Sequence, residues 1–236
     1  MFQGEAVGAI VVGAGQSQRM GGVDKVFVPL GGQPALAWVL DALQSAPSVD
    51  TVVVVLSADN LAQGTALLRS GRWAKVQGVC MGGARRQDSV RHGLQALPTR
   101  CQWIVVHDAA RPCLTPDLVE RALGAATTTG AAIAAVPAKD TVKMVNADLW
   151  VVETLPRERL WMVQTPQVFR RALLEKAHQQ VHETVTDDAT MVEKMGVPVK
   201  VVLGDYGNLK VTTVEDIPLA EAVLRARKAS AQEPSG

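Results

Sequence analysis

Three turns in this chain carry residues suited to phosphate chemistry, and each directly follows an apolar run. The first is Gly13-Ala14-Gly15-Gln16-Ser17, followed by two cations, Arg19 and Lys25, six positions apart. Glycines in such a turn let backbone N–H groups approach an anion with no Cβ in the way. A guanidinium and an ammonium on one wrapping loop suit a triphosphate better than an uncharged ligand. Neither common phosphate loop fits. A dinucleotide fingerprint needs a third glycine where Gln18 stands, and an acid about twenty residues further on that is missing. A P-loop needs Gly-Lys-Ser/Thr, and counting from Gly13 or Gly15 lands on Gln18 or Met20. Taken alone, the segment reads equally well as a tight turn with two solvated basic residues.

The second turn, Cys80-Met-Gly-Gly-Ala-Arg-Arg-Gln-Asp-Ser-Val90, runs from a strand into a helix. Gly82 and Gly83 offer another backbone cradle. Ser89 falls in the first helical turn, where free N–H groups favour an anion or a base carbonyl. The plain alternative makes Ser89 a solvent-facing helix residue and Arg85 and Arg86 a solvated face. The third, Trp103-Ile-Val-Val-His-Asp-Ala-Ala-Arg-Pro112, is the strongest local signal. It ends an apolar strand on Asp108, and carboxyl ends of strands form the ligand crevice of open α/β sheets. A single carboxylate there can hold Mg²⁺ together with substrate phosphates. Alternatively, Asp108 caps the next turn and pairs with Arg111. Convergence of three such loops on one sheet edge favours the functional reading. Further downstream, Thr141, Arg157, Thr165, Thr186 and Lys210 have bland readings on their own. Thr141 starts a hairpin strand, Thr186 N-caps a helix carrying Met191, Val192 and Met195, and Lys210 is a surface cation.

These loops must be positioned by elements that are also legible. Ala6–Val12, Thr51–Ser57, Ala74–Val79, Trp103–His107, Ala131–Val136 and Val197–Leu203 read as strands covered on both faces. Pro34–Ala46, Arg86–Leu97 and Thr115–Ala126 carry apolar residues at helical spacing, the last with Thr115 as N-cap and Pro116 in the first turn. The alternation predicts βαβ units and a mostly parallel sheet. Two β-rich runs around Asn146-Ala147-Asp148 interrupt it and predict a hairpin arm. A last helix is expected over Val214–Lys228, and a frayed tail over 229–236. The expectation is one domain over 1–236, with an inserted β-arm over 138–162.

Composition narrows the function. The chain has 236 residues, 47% hydrophobic, with 24 Lys and Arg against 23 Asp and Glu. That balance argues against a general nucleic-acid or anionic-membrane binder, while leaving room for a local cationic pocket. No apolar run is long enough to span a bilayer, and no basic segment precedes the first apolar run as in a signal peptide. Three cysteines, Cys80, Cys101 and Cys113, with no Cys/His cluster, point to a reducing, cytoplasmic compartment.

Taken in order, Gly15-x-Ser17-x-Arg19-Met20, Lys25, Gly82-Gly83…Asp88-Ser89-Val90, His107-Asp-Ala-Ala-Arg-Pro112, Asp140-Thr141, Arg157, Thr165-Pro-Gln167, Thr186-Asp-Asp188 and Lys210-Val-Thr212 resemble the 2-C-methyl-D-erythritol 4-phosphate cytidylyltransferases. The resemblance runs from about Ala6 to Ala226. It implies an α/β, Rossmann-like nucleotidyltransferase fold: a mostly parallel sheet with helices on both faces and a protruding β-hairpin arm. It implies transfer of CMP from CTP to a methylerythritol phosphate, with release of pyrophosphate, in non-mevalonate isoprenoid synthesis.

By the same resemblance, Gly13, Ala14, Gly15 and Ser17 hold the triphosphate and part of the nucleotide. Gly83, Ala84 and Ser89 read the cytosine. Asp108 and Ala109 lie by the nucleotide, with Asp108 binding Mg²⁺. Arg19, Lys25, Arg157 and Lys210 are the catalytic cations. Arg111, Thr141, Arg157, Thr165, Thr186 and Lys210 position the methylerythritol phosphate. The arm implies a homodimer, with Thr141 and Arg157 serving the partner's site. The chain departs from the family pattern at Gly13, Ser17, Val26 and Pro156.

Three alternatives remain at this level. One is a cytidylyltransferase for another polyol phosphate such as ribitol 5-phosphate. Another is a sugar-1-phosphate nucleotidyltransferase, which would prefer UTP or GTP. The third is a nucleotide-binding regulator, which would bind CTP without releasing pyrophosphate.

Overall fold

The computed structural model describes residues 1–15 and 24–232. In chain order the elements are β1 (Ala6–Gly13), β2 (Pro29–Leu30), β3 (Gln33–Pro34), α1 (Ala35–Ser45), β4 (Val49–Leu56), α2 (Leu61–Leu68), β5 (Val76–Met81), α3 (Arg86–Ala96), β6 (Cys101–Asp108), α4 (Pro116–Ala126) and β7 (Ala131–Pro137). There follow β8 (Lys143–Val145), β9 (Val151–Thr154), β10 (Trp161–Arg170), α5 (Arg171–Gln180), α6 (Asp188–Lys194), β11 (Lys200–Leu203) and α7 (Asp216–Gln232).

Seven strands form one sheet in the order β11-β7-β10-β6-β1-β4-β5. Every neighbouring pair is parallel except the two made by β10. Strand alternation sends Val7, Ala9 and Val11 of β1 to one face, packed with α1 and α4 residues such as Leu40 and Leu118. Ile10 goes to the other face, against Val90 and Leu94 of α3. On that side α3 lies close: a Cβ on Gly93 would stand 2.5 Å from the Ile10 side chain, so only glycine fits. Helices therefore cover both faces, and the loops at the strands' carboxyl ends remain available for a ligand.

The six expected strands are present with shifted ends. Strand β10 was not expected. The arm leaves the sheet after Pro137 and returns at Trp161, which pairs with Pro137. Chain that leaves and re-enters at one end of a sheet must run back antiparallel. The register of β10 against β7 breaks between Val163 and Gln167, which lets Gln164 and Thr165 bond elsewhere. The arm itself is a short ladder, β8 with β9, turned at Asn146, whose side-chain oxygen accepts from Asp148 N and Trp150 N. Its first strand begins at Lys143, two residues after Thr141.

Two caps are worth separating. Thr115 N-caps α4 as expected, its hydroxyl accepting from Leu118 N at 3.3 Å. Thr115→Ala should cost about 1 kcal/mol, read as a lower urea midpoint with unchanged slope. Thr186, by contrast, is not the cap of α6. Asp187 is, accepting from Thr190 N at 3.0 Å, because its carboxylate offers more acceptor capacity than a hydroxyl. The final helix starts at Asp216, whose carboxylate accepts from the backbone of Thr212 and Thr213, and continues past Lys228 to Gln232. That takes the first four residues of the expected tail into regular structure. No helix among the described residues is long and apolar enough to cross a membrane.

Candidate active site

The carboxyl ends of β1, β5 and β6 open onto a cavity of about 790 Å³. Gly13, Ala14, Gly15, Lys25, Gly83, Ala84, Ser89, Asp108 and Lys210 all line it, bringing together most of the sequence-predicted nucleotide residues. Ser17 and Arg19 lie outside the described residues. Lys25 reaches over the first turn: a Cβ on Gly15 would sit 3.5 Å from its Nζ.

The second turn is fastened by its own helix. Ser89 Oγ accepts from Gly83 N at 3.1 Å and donates to the Arg85 carbonyl at 3.2 Å. The bland reading of Ser89 as solvent-facing is thus corrected, since it is buried. Cβ atoms on Gly82 and Gly83 would stand 2.3 Å from Ala14 and 2.4 Å from Asp88, which is why both positions need glycine. Because the single Ser89 hydrogen is spent on Arg85, its oxygen can only accept from a ligand.

Ala109 differs from its expected place. It is fully buried, its N–H bonds to the Val12 carbonyl, and its Cβ packs toward Gly13. The alternation of β6 turns it into the core, and Ala110 lines the cavity instead.

Asp108 stands where this cavity meets a second one of about 370 Å³. Its Oδ2 lies 2.7 Å from Lys210 Nζ and its Oδ1 3.3 Å from Arg86 Nη2. Burial alone would raise its pKa. Arg86 and Lys210 overcome that and hold the carboxyl well below the usual carboxylate range. The alternative pairing of Asp108 with Arg111 is not formed: Arg111 donates to the Asn208 carbonyl at 2.8 Å, and its backbone N–H bonds to the Asp108 carbonyl. Lys210 is no idle surface cation, although its side chain is 40% exposed.

Arg86 is the residue sequence reasoning missed. It is no part of a solvated face. Its Nη1 donates at 2.6 Å to Asp188, whose side chain is 0% exposed, and it reaches Asp108 with Nη2. Desolvation would lower its pKa, but Asp188 and Asp108 raise it instead. The signal was present in the spacing: Arg86, Ser89, Val90 and Gly93 share one helical face, as do Asp188, Met191, Val192 and Met195. Each charged residue opens the apolar stripe of its helix, so the two face one another across the interior.

The second cavity is lined by Arg86, Asp108, Arg111, Thr165, Thr186 and Lys210, among others. Four expected acceptor residues are therefore together, and Arg111 Nε is buried with no hydrogen-bond partner among the described residues. Thr141 and Arg157 line neither cavity. Both are exposed on the arm segment, where Arg157 Nη1 donates to the Lys139 carbonyl at 2.7 Å.

For Mg²⁺, Asp108 fits part of a site: a carboxylate kept ionised at the junction of two cavities. No group of three or more His, Cys, Asp or Glu among the described residues could hold a metal ion by itself. Further ligands would have to come with the nucleotide's phosphates.

Comparisons with known proteins agree with this geometry. The family model for 2-C-methyl-D-erythritol 4-phosphate cytidylyltransferase matches residues 7–226. A relative of that name from Dehalococcoides mccartyi is 48% identical over 225 residues, covering 95% of this chain and 99% of the relative. One from Pelotomaculum thermopropionicum is 44% identical over 238 residues, covering 98% and 100%. Among solved structures, a 4-diphosphocytidyl-2C-methyl-D-erythritol synthase from Anaerococcus prevotii superposes with a TM-score of 0.83 at 29% identity, covering 94% of this chain and 96% of that one. A 2-C-methyl-D-erythritol 4-phosphate cytidylyltransferase from Thermus thermophilus gives 0.75 at 33% identity, covering 94% and 99%. The fold is the expected Rossmann-like nucleotidyltransferase fold, and the chain belongs to the 2-C-methyl-D-erythritol 4-phosphate cytidylyltransferase family.

Proposed function

We propose that the chain transfers CMP from CTP to 2-C-methyl-D-erythritol 4-phosphate and releases pyrophosphate, in keeping with relatives named as cytidylyltransferases of that phosphate. The observation that carries this reading is the junction at Asp108, where a glycine-lined cavity and a smaller polar cavity meet between Arg86 and Lys210. A nucleotide in the first and a phosphorylated alcohol in the second would have their phosphates side by side. A phosphate oxygen of the acceptor then attacks the α-phosphorus of CTP. The bond from that phosphorus to the bridging oxygen breaks, and the electron pair leaves on pyrophosphate.

A phosphate is already ionised at neutral pH, so no general base is needed. The obstacle is repulsion between two anions, and fixed cations lower it. Lys25 on the first turn and Lys210 at the junction are aimed at that charge, with Arg19 assigned the same task. Ser89, able only to accept, suits the exocyclic amine of cytosine rather than the carbonyl that uracil has there. The 790 Å³ cavity is ample for a nucleoside triphosphate. A cytoplasmic setting follows from phosphorylated substrates of this kind.

Asp108 would hold Mg²⁺ alongside the triphosphate. The ion would supply further neutralisation of the phosphates, and Lys210, the more exposed partner, is the one able to yield its place on the carboxylate.

A homodimer through the arm completes the reading. Leu149 is 80% and Trp150 73% exposed, with Val151, Val152 and Met162 also open. A two-stranded ladder displaying so many exposed apolar side chains is marginal alone, and such exposure on one arm marks an interaction site. A second copy covering it would also bring Thr141 and Arg157 to the other subunit's acceptor cavity. Light scattering should give a dimer at micromolar concentration, and Trp150→Asp should shift it toward monomer and reduce turnover. A monodisperse wild-type monomer contradicts the arm's role.

The deciding experiment is pyrophosphate release measured with four nucleoside triphosphates against methylerythritol phosphate and ribitol 5-phosphate. Turnover with CTP and methylerythritol phosphate alone is expected. Preference for UTP or GTP, for ribitol 5-phosphate, or CTP binding without pyrophosphate would each sink the reading.

A further inference from the structure

His107 lines neither cavity, yet it ties together residues that do. The ring is fully buried near the end of β6. Its Nε2 lies 3.1 Å from the Arg111 carbonyl oxygen and its Nδ1 lies 3.0 Å from the Thr165 hydroxyl. A carbonyl can only accept, so Nε2 carries the ring hydrogen. The ring is fully buried and both of its nitrogens face uncharged oxygens, where a charged imidazolium would be costly, so it carries a single hydrogen and Nδ1 is bare. The Thr165 hydroxyl therefore donates to Nδ1, while its oxygen accepts from Asp108 N at 3.1 Å. The result is a chain with one direction throughout: Asp108 N–H to Thr165, Thr165 O–H to His107, His107 N–H to Arg111.

We propose that His107 is a positioning residue for the acceptor cavity, setting the direction of the Thr165 hydroxyl and the seat of Arg111 without acting on the nucleotide cavity. The inference rests on reading the second cavity as the acceptor's. Arg111 and Thr165 line that cavity and do not line the first. Since the only Thr165 hydrogen is committed to the ring, any hydrogen bond from Thr165 to the acceptor is one it accepts. An alcohol hydroxyl can satisfy it; an ionised phosphate oxygen cannot. The residue thus favours the polyol part of the acceptor over its phosphate.

Two substitutions cut the bridge on opposite sides. His107→Asn places a carbonyl oxygen near the position of Nδ1, keeping an acceptor for Thr165 and losing the Arg111 contact. His107→Gln extends an amide N–H toward Arg111 and loses the Thr165 contact. His107→Phe loses both. Losing two modest hydrogen bonds should raise the acceptor KM on the order of tenfold for His107→Phe, with Asn and Gln between it and wild type. The Kd for CTP, titrated without acceptor, should stay unchanged. In a Thr165→Val background His107→Gln should add nothing, whereas His107→Asn should still raise the acceptor KM.

A purely structural role would lower Tm and the active fraction, leaving KM for both substrates as in wild type. That result, or parallel weakening of CTP, overturns the proposal. If His107→Phe does not fold, the two polar variants decide the matter. Wild-type turnover of methylerythritol phosphate is measured first: its absence condemns the functional reading, while its presence with an unmoved acceptor KM in the variants condemns only the role of His107.

Discussion

Lys25→Ala should lower kcat by about 10²–10³, equivalent to roughly 3–4 kcal/mol, the size seen when one preorganised donor is removed from a transition state. Lys25 lines the larger cavity and its ammonium hangs over the Gly15 turn, where a triphosphate would approach backbone N–H groups. The charge it meets grows as the bond to pyrophosphate breaks, so its effect should appear mainly in kcat. Lys25→Arg keeps the charge and should restore part of the rate, since guanidinium and ammonium differ in geometry. Single-turnover pyrophosphate release at saturating CTP checks this. A Lys25→Ala enzyme keeping most of its turnover would rule out the electrostatic role. Arg19→Ala carries an expectation of the same size from the sequence.

The second large effect belongs to Asp108. Asp108→Ala should abolish Mg²⁺-dependent turnover and destabilise the fold by about 3 kcal/mol, the low end for breaking a buried ion pair. The low end applies because Lys210 can reach water and Arg86 keeps Asp188. Asp108→Asn preserves shape and separates charge from packing. It should fold nearly as well as the Ala variant or better, and still lose activity by on the order of 10² or more. Manganese binding in the presence of CTP, followed by electron spin resonance, should weaken in both variants. Metal dependence equal to wild type would exclude Asp108 from metal binding.

The same carboxylate carries a pH signature. Its folded pKa lies below the unfolded value of about 3.9. Its contribution to stability is thus present above that value and lost as pH falls through the folded pKa. Urea midpoints of wild type should fall on acidification below about pH 4 more steeply than those of Asp108→Asn. Equal slopes would contradict the depressed pKa.

Much of this was legible before folding was considered. The apolar runs of β1, β5 and β6 announce strands, and Gly13–Gly15, Gly82-Gly83 and Asp108 fall at their carboxyl ends because function gathers there. The Thr115-Pro116 start of α4 and the hairpin around Asn146 were equally local. Strand β10 was not, because its residues include Gln164, Thr165 and Pro166 and its direction depends on where the arm returns. Arg86 was misread for a different reason. A charged residue at a helix start looks solvated unless its place on the apolar stripe is counted.

What the sequence determined by itself is the set of elements and the inventory of phosphate-binding groups, since both follow from side-chain periodicity and short-range turn chemistry. Tertiary structure decided which groups share a wall. The antiparallel return of β10 brings Thr165 to His107, and the fold sets Arg86 at the start of α3 between the carboxylates of Asp108 and Asp188. These contacts span from 58 residues, His107 to Thr165, to 102 residues, Arg86 to Asp188. Over such separations local propensity carries no information, and only the folded core fixes the distance.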